Sequence, residues 1–156
     1  MHPNAELLER FYRAFARRDA ATMAACYHRD ARFSDPVFPA LDHAGVCAMW
    51  AMLCANGKDL RLETSGIDAD DAHGRAHWDA HYTFSGTGRP VVNRIDASFA
   101  FRDGLIVEHR DAFDFHRWAA QALGLSGRLL GGSGWLRRKV QKQAAARLGD
   151  WQRRHP

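Results

Sequence analysis

The 156-residue chain has the length of a single domain, and its apolar share of 46% supplies a packed core and excludes wholesale disorder. It holds no run of 18 apolar residues to span a membrane, and Met1-His2-Pro3-Asn4-Ala5-Glu6 carries no secretory signal pattern. The net charge of +4 divides unevenly: residues 1–125 hold 14 Lys/Arg and 17 Asp/Glu, while residues 126–156 hold 8 Lys/Arg against the lone Asp150. The body is mildly acidic and only the tail is basic, so whole-chain charge is no argument for nucleic-acid binding.

From Glu6, the residues Leu7, Leu8, Phe11 and Phe15 follow helical spacing, with Asn4 as the expected cap. Asp19 is the expected cap of a second helix running through Met23, Cys26 and Tyr27. A short strand, Ala31–Asp35, stops at Pro36. Gly45 leads a third helix with Val46, Met49, Trp50 and Leu53 on one face, ended by Asn56-Gly57. Four strands follow. The first covers roughly Asp59–Asp68, and the second carries Ala76, Trp78, Ala80, Tyr82 and Phe84 on one face. Ser85–Gly88 is a turn, after which Val91, Asn93, Ile95, Ala97, Phe99 and Phe101 share a face of the third strand. Arg102-Asp103-Gly104 reads as a hairpin, and Leu105, Val107, His109, Asp111, Phe113 and Phe115 share a face of the fourth. Residues 116–124 continue as a short helix, Ser126–Gly134 with four glycines reads as a hinge-like loop, and Trp135–Trp151 is helical with Leu136, Val140, Ala144 and Leu148 in a seam. Helices followed by an antiparallel meander argue an α+β fold.

Period-2 alternation puts His109 and Asp111 on the apolar face of the fourth strand. A bare carboxylate there costs several kcal/mol, so it must be paired, protonated or open to a cavity. These two residues are therefore candidate catalytic groups, a structural ion pair being the alternative. Asp35 is a third, placed where the chain leaves the sheet. Tyr27, Trp50 and Trp78 are candidate ligand-binding residues, with plain core packing as the alternative, and Asn93 is a polar group on the inward face able to orient a ligand carbonyl. His77 and His81 sit four residues apart in a strand, about 13 Å, too far to share an ion at about 2.1 Å per ligand. No metal and no cofactor are expected. Cys26, Cys47 and Cys54 include no C-x-x-C pair and are expected as buried thiols in a reducing cytoplasm. The basic tail lacks the interleaved aromatics of a single-strand platform. It is expected as the solvated face of a docking helix, with no nucleic-acid partner and with acidic lipid as an alternative contact.

The stretch Arg10-Phe11-Tyr12 through Cys26-Tyr27-His28-Arg29-Asp30-Ala31-Arg32-Phe33-Ser34-Asp35-Pro36-Val37 resembles the start of ketosteroid isomerases. Asp103-Gly104-Leu105-Ile106-Val107-Glu108-His109-Arg110-Asp111-Ala112-Phe113-Asp114 resembles the strand that ends limonene epoxide hydrolases and SnoaL-like polyketide cyclases. All belong to the nuclear-transport-factor-2-like superfamily, and the resemblance covers residues 5–120. It implies a cone-shaped fold: three N-terminal helices on a curved, mostly antiparallel sheet around a deep apolar cavity. It also implies Asp35 as proton-shuttling base and Asp111 as general acid. The isomerase's oxyanion tyrosine falls at Phe11, with Tyr12 one step away, and its third-strand aspartate falls near Ala97, beside Asp96. The epoxide hydrolase's Arg-x-Asp pair falls at Trp78 and Ala80.

The expectation is a cone domain over residues 1–125 and a basic helical extension over 126–156. Its function would be cofactor-independent proton transfer of isomerase, cyclase or hydrolase type on a small hydrophobic carbonyl or polyketide-like compound. A non-catalytic domain that holds a hydrophobic ligand is the alternative function. A tail-driven membrane or partner adaptor is a third. The outer sheet face, with His77, Asp79, His81, Thr83, Arg94, Asp96, Ser98 and Arg110, is the expected homodimer surface.

Overall fold

The alternating strands pair into one curved sheet, and helices close over its inner face; the computed structural model describes residues 1–156. The elements run α1 (Pro3–Ala16), α2 (Ala20–Ala25), β1 (Tyr27–Ser34), α3 (His43–Asn56), β2 (Arg61–Ala69), β3 (His73–Phe84), β4 (Arg89–Arg102), β5 (Leu105–Ala112), α4 (Phe115–Leu123), α5 (Leu125–Leu130) and α6 (Gly134–Arg154). Strand order is β1-β5-β4-β3-β2, with β1 parallel to β5 and every other pair antiparallel. This is the α+β cone architecture, with three N-terminal helices against a curved, mostly antiparallel sheet.

Local chemistry moves several boundaries from their expected places. The cap of α1 is His2, whose imidazole accepts the Asn4 N–H, and Pro3 fills the first turn, where no N–H is needed. Asn4 lies inside the helix and donates instead to the Asp70 and Asp71 carbonyls. Asp19 caps α2 by accepting the Thr22 N–H. That helix ends early, because Tyr27 already belongs to β1. Asp42 caps α3 by accepting the Gly45 N–H, so the helix begins at His43, two residues before the expected Gly45. Phe115 opens α4, where Asp114 accepts the Arg117 N–H, so it leaves the strand to which its alternation assigned it. Cys47 is half-buried; Cys26 and Cys54 are buried.

Ala76, Trp78 and Ala80 of β3 and Val91, Asn93, Ile95, Ala97 and Phe99 of β4 are buried, as alternation requires. Strand β5 departs from it. Ala100 pairs with Glu108 and Phe101 with Ile106, so Val107 is an extra residue that re-phases the strand. Ile106 rather than Val107 packs into the core, and His109 and Asp111 still point inward.

The stretch expected as a hinge-like loop contains α5, folded back on α4. Gly127 makes this possible, since a Cβ there would run into the Ala119 carbonyl. Gln121 of α4 accepts the Val92 N–H and donates to its carbonyl, satisfying β4 beyond the end of β5. The α6 seam then spans two apolar clusters, with Leu136 in the smaller and Leu148 in the larger. No helix is long and apolar enough to cross a membrane.

Because the obstacle at Gly127 is backbone, Gly127→Ala is expected to lower stability by about 1–3 kcal/mol. Urea unfolding of the variant against wild type measures it.

Candidate functional site

Parallel pairing of β1 with β5 brings the two halves of the site together. Phe33 stands opposite His109 and Ser34 opposite Arg110, so the next step sets Asp35 abreast of Asp111. Both carboxylates line a cavity of about 740 Å³, most of whose lining residues are apolar. Trp50, Trp78 and Asn93 also line it, together with Tyr82 and Phe113. Tyr27 and His109 stand behind this wall, among the core aromatics.

A chain of buried hydrogen bonds links them. The Trp50 indole N–H donates to the Tyr27 oxygen (2.9 Å), Tyr27 meets His109 Nδ1 at 2.8 Å, and His109 Nε2 meets Asp111 Oδ1 at 2.9 Å. Burial drives the Tyr27 phenol well above its ordinary pKa, with the charge of Asp111 adding to the effect against the Trp50 hydrogen bond. Tyr27 therefore keeps its proton. Having accepted from Trp50, it donates that proton's bond to Nδ1, which leaves Nε2–H to donate to Asp111. The imidazole is only 1% exposed and sits among Phe11, Phe33, Phe99, Tyr27 and Trp50, with ring centroids 4.4–6.2 Å away.

Asp35 is held differently. One oxygen, Oδ1, accepts the Val37 and Phe38 N–H groups at 2.7 and 2.6 Å, in the turn that Pro36 begins. The side chain is half-buried by surface exposure, but what it faces is the apolar-walled cavity. Burial pushes its pKa up to about 7; the Phe38 and Val37 bonds and the Arg137 charge pull against this, and Asp111 adds to it.

Two buried polar atoms have no partner, the Trp78 Nε1–H and the Tyr12 hydroxyl. Trp78 borders the cavity with its ring. Burial, then the Asp111 charge, raises the Tyr12 phenol well above its ordinary pKa, so it stays a neutral donor. No cluster of three or more His, Cys, Asp or Glu side chains forms a metal site. His77 is tied to Asp79 and Asp96 at 2.8 Å each on the outer face.

Sequence reasoning missed one wall. Lys139, Val140, Gln143, Ala144 and Arg147 of α6 line the cavity mouth with Leu136, and Trp118 of α4 donates to the Tyr82 hydroxyl at 2.7 Å on another side. The signal was present, because residues 139, 143 and 147 flank the 136-140-144-148 seam on one side.

The fold is shared with known proteins. The SnoaL-like domain model matches residues 8–109. A candidate polyketide cyclase from Xanthomonas campestris superposes with a TM-score of 0.64 at 22% identity, over 76% of this chain and 96% of its own. IdmH, a candidate polyketide cyclase from Streptomyces antibioticus, gives 0.65 at 25% identity, over 80% and 100%. An LEH-like epoxide hydrolase from M. tuberculosis gives 0.63 at 20% identity, over 82% and 96%. No curated protein matches the chain.

The raised pKa of Asp35 has a stability consequence. The folded protein holds this proton up to about pH 7, whereas the unfolded chain releases it near 3.8. Stability from this group is thus present at low pH and lost as pH rises between those values. Asn retains the acceptor for Val37 and Phe38 without the charge. Asp35→Asn is expected to stabilise the protein at pH 8 by on the order of 2 kcal/mol, with the gain vanishing near pH 4; thermal melts across that range measure it.

Proposed function

The chain belongs to the SnoaL-like domain family. On that footing we propose that it is a small-molecule enzyme that moves protons on an apolar carbonyl or polyketide-like compound held in the cavity. The observation that carries this reading is the pairing of Asp35 and Asp111 in one largely apolar cavity, with Asp35 raised to about 7. A base with that value is close to half ionised at neutral pH, where proton transfer in both directions is efficient. Neighbours described as polyketide cyclases and an epoxide hydrolase support a small, oxygenated apolar substrate.

In the proposed cycle the pair carries one proton. Ionised Asp35 takes a proton from the carbon next to the carbonyl through its free Oδ2, while Asp111 gives its proton to the developing oxygen. Asp35 then returns its proton to a conjugated carbon and Asp111 recovers its own as the carbonyl re-forms, so a double bond has moved with no net proton change. Where the enol carbon instead attacks a second carbonyl of the ligand, a C–C bond forms as that C=O π bond breaks, the Asp35 proton goes to the new alkoxide oxygen and a ring has closed. His109 is a positioning residue that holds Asp111 by one oxygen and leaves the other toward the cavity. The Asn93 amide is a donor for the ligand oxygen. The reading is of a cytoplasmic protein with its three cysteines as thiols and with the chemistry carried by residues 1–125.

Solvent deuterium incorporation into 1-tetralone and related aryl ketones, followed by mass spectrometry, tests the chemistry. Wild type is expected to accelerate exchange, and Asp35→Asn to slow it by about 10²–10⁴-fold while ligand binding persists. Binding with no exchange above background would mean that the cavity holds its ligand without turning it over.

The exposed outer face of β3 and β4 supports a two-fold homodimer in this reading. It bears His77, raised by Asp96 and then Asp79, beside Arg94 and Ser98, so opposite charges meet across a dyad. Light scattering is expected to give twice the 17.6 kDa chain mass at micromolar concentration.

A further inference from the structure

We infer that the cavity mouth selects ligands bearing an anionic group, which Lys139 and Arg147 of α6 hold while the apolar body lies in the cavity. This rests on the reading of the cavity as a ligand site. Both cations line the cavity, although α6 has further basic residues, Arg138 and Lys142, that do not. Neither enters an ion pair within the chain; the Arg–carboxylate pairs belong to Arg13, Arg17, Arg75, Arg102 and Arg153. The Lys139 ammonium lies 5.2 Å from the Trp135 ring centroid, which holds it at the rim. Asp59 shares this mouth, but its carboxylate accepts the Thr83 N–H and lies within the field of Arg18.

Charge therefore separates along the cavity, with Asp35 and Asp111 inside and, at the rim, two unpaired cations against the single carboxylate of Asp59. An anionic ligand group is attracted at the rim and repelled by the one negative charge that the Asp35–Asp111 pair carries, so the two effects fix one orientation and present the opposite end to the carboxyl groups. Lys139 and Arg147 are eight residues apart, about 12 Å along the helix, and offer two places on the rim at which a carboxylate, sulfonate or phosphate is held. Both lie beyond residue 109, where the family pattern ends, which makes this selectivity a property of the chain's own C-terminal helix.

Two dyes with the same ring system separate charge from shape: 8-anilinonaphthalene-1-sulfonate and its uncharged counterpart N-phenyl-1-naphthylamine. Fluorescence titration is expected to show tighter binding of the sulfonate, weakened by 0.5 M salt, with the neutral dye indifferent to salt. Lys139→Met with Arg147→Met keeps the apolar stems and is expected to weaken the sulfonate about tenfold and the neutral dye less than twofold. Arg138→Met with Lys142→Met removes the same charge away from the cavity and is expected to change neither. Sulfonate affinity unchanged in the rim variant, or equal loss in both double variants, overturns the inference and leaves the ligand site standing. Failure of wild type to bind either dye overturns both.

Discussion

The hydrogen-bonded chain Trp50–Tyr27–His109–Asp111 is the constraint around which the site is organised. A buried polar chain is stable only when every member is satisfied, because an orphaned member costs more than its bond contributes. Here the members come from α3, β1 and β5, so their bonds tie a helix across the parallel seam of the sheet. Aromatic rings pack the imidazole on several sides, leaving Nδ1 and Nε2 no partners but Tyr27 and Asp111. The cost of burying these groups thus also fixes where Asp111 points.

The cavity follows from a second constraint, the separation of two apolar clusters. The larger gathers α1, α2, α3 and the inner sheet face; the smaller gathers Val91, α4 and the start of α6. Tyr82 and Phe113 pack against both, and Asp35, Asp111 and Asn93 put polar groups into the space that remains. No single element encloses it, and α6 closes the last side only by reaching from one cluster to the other.

Much of this was legible in the residues. Alternation in β3 and β4 was regular enough to assign the inner face, and the inward placement of His109 and Asp111 followed from the same period. Alternation sets Val107 inward, against the structure, because a bulge adds one residue without leaving any composition signal. Met23, Cys26 and Tyr27 satisfy helical spacing, so the sequence alone puts Tyr27 at the end of a helix, while its strand is recognised only through the partner β5. The glycines of residues 126–134 read as a loop, although Gly127 serves a helix that must approach another closely. The tail was legible as an amphipathic helix, but its docking place depends on contacts remote in sequence, such as Gln141 with the Pro36 carbonyl. Asp35 and Asp111 were each visible; their adjacency required the parallel register.

That α6 completes the cavity wall has a consequence for biogenesis. Chains are made from the N-terminus and fold as their segments emerge, so the helix that completes this cavity leaves the ribosome after its other walls. Until its 21 residues dock, the cavity lined by Trp50, Trp78, Ile95 and Phe113 lacks the wall that Leu136, Val140 and Ala144 supply. The nascent protein therefore passes through a stage with an open apolar cleft, the kind of surface on which chaperones act or aggregation starts. Arrival of a strongly cationic helix ends that stage by covering the cleft with its apolar seam and turning Arg138 and Lys142 outward.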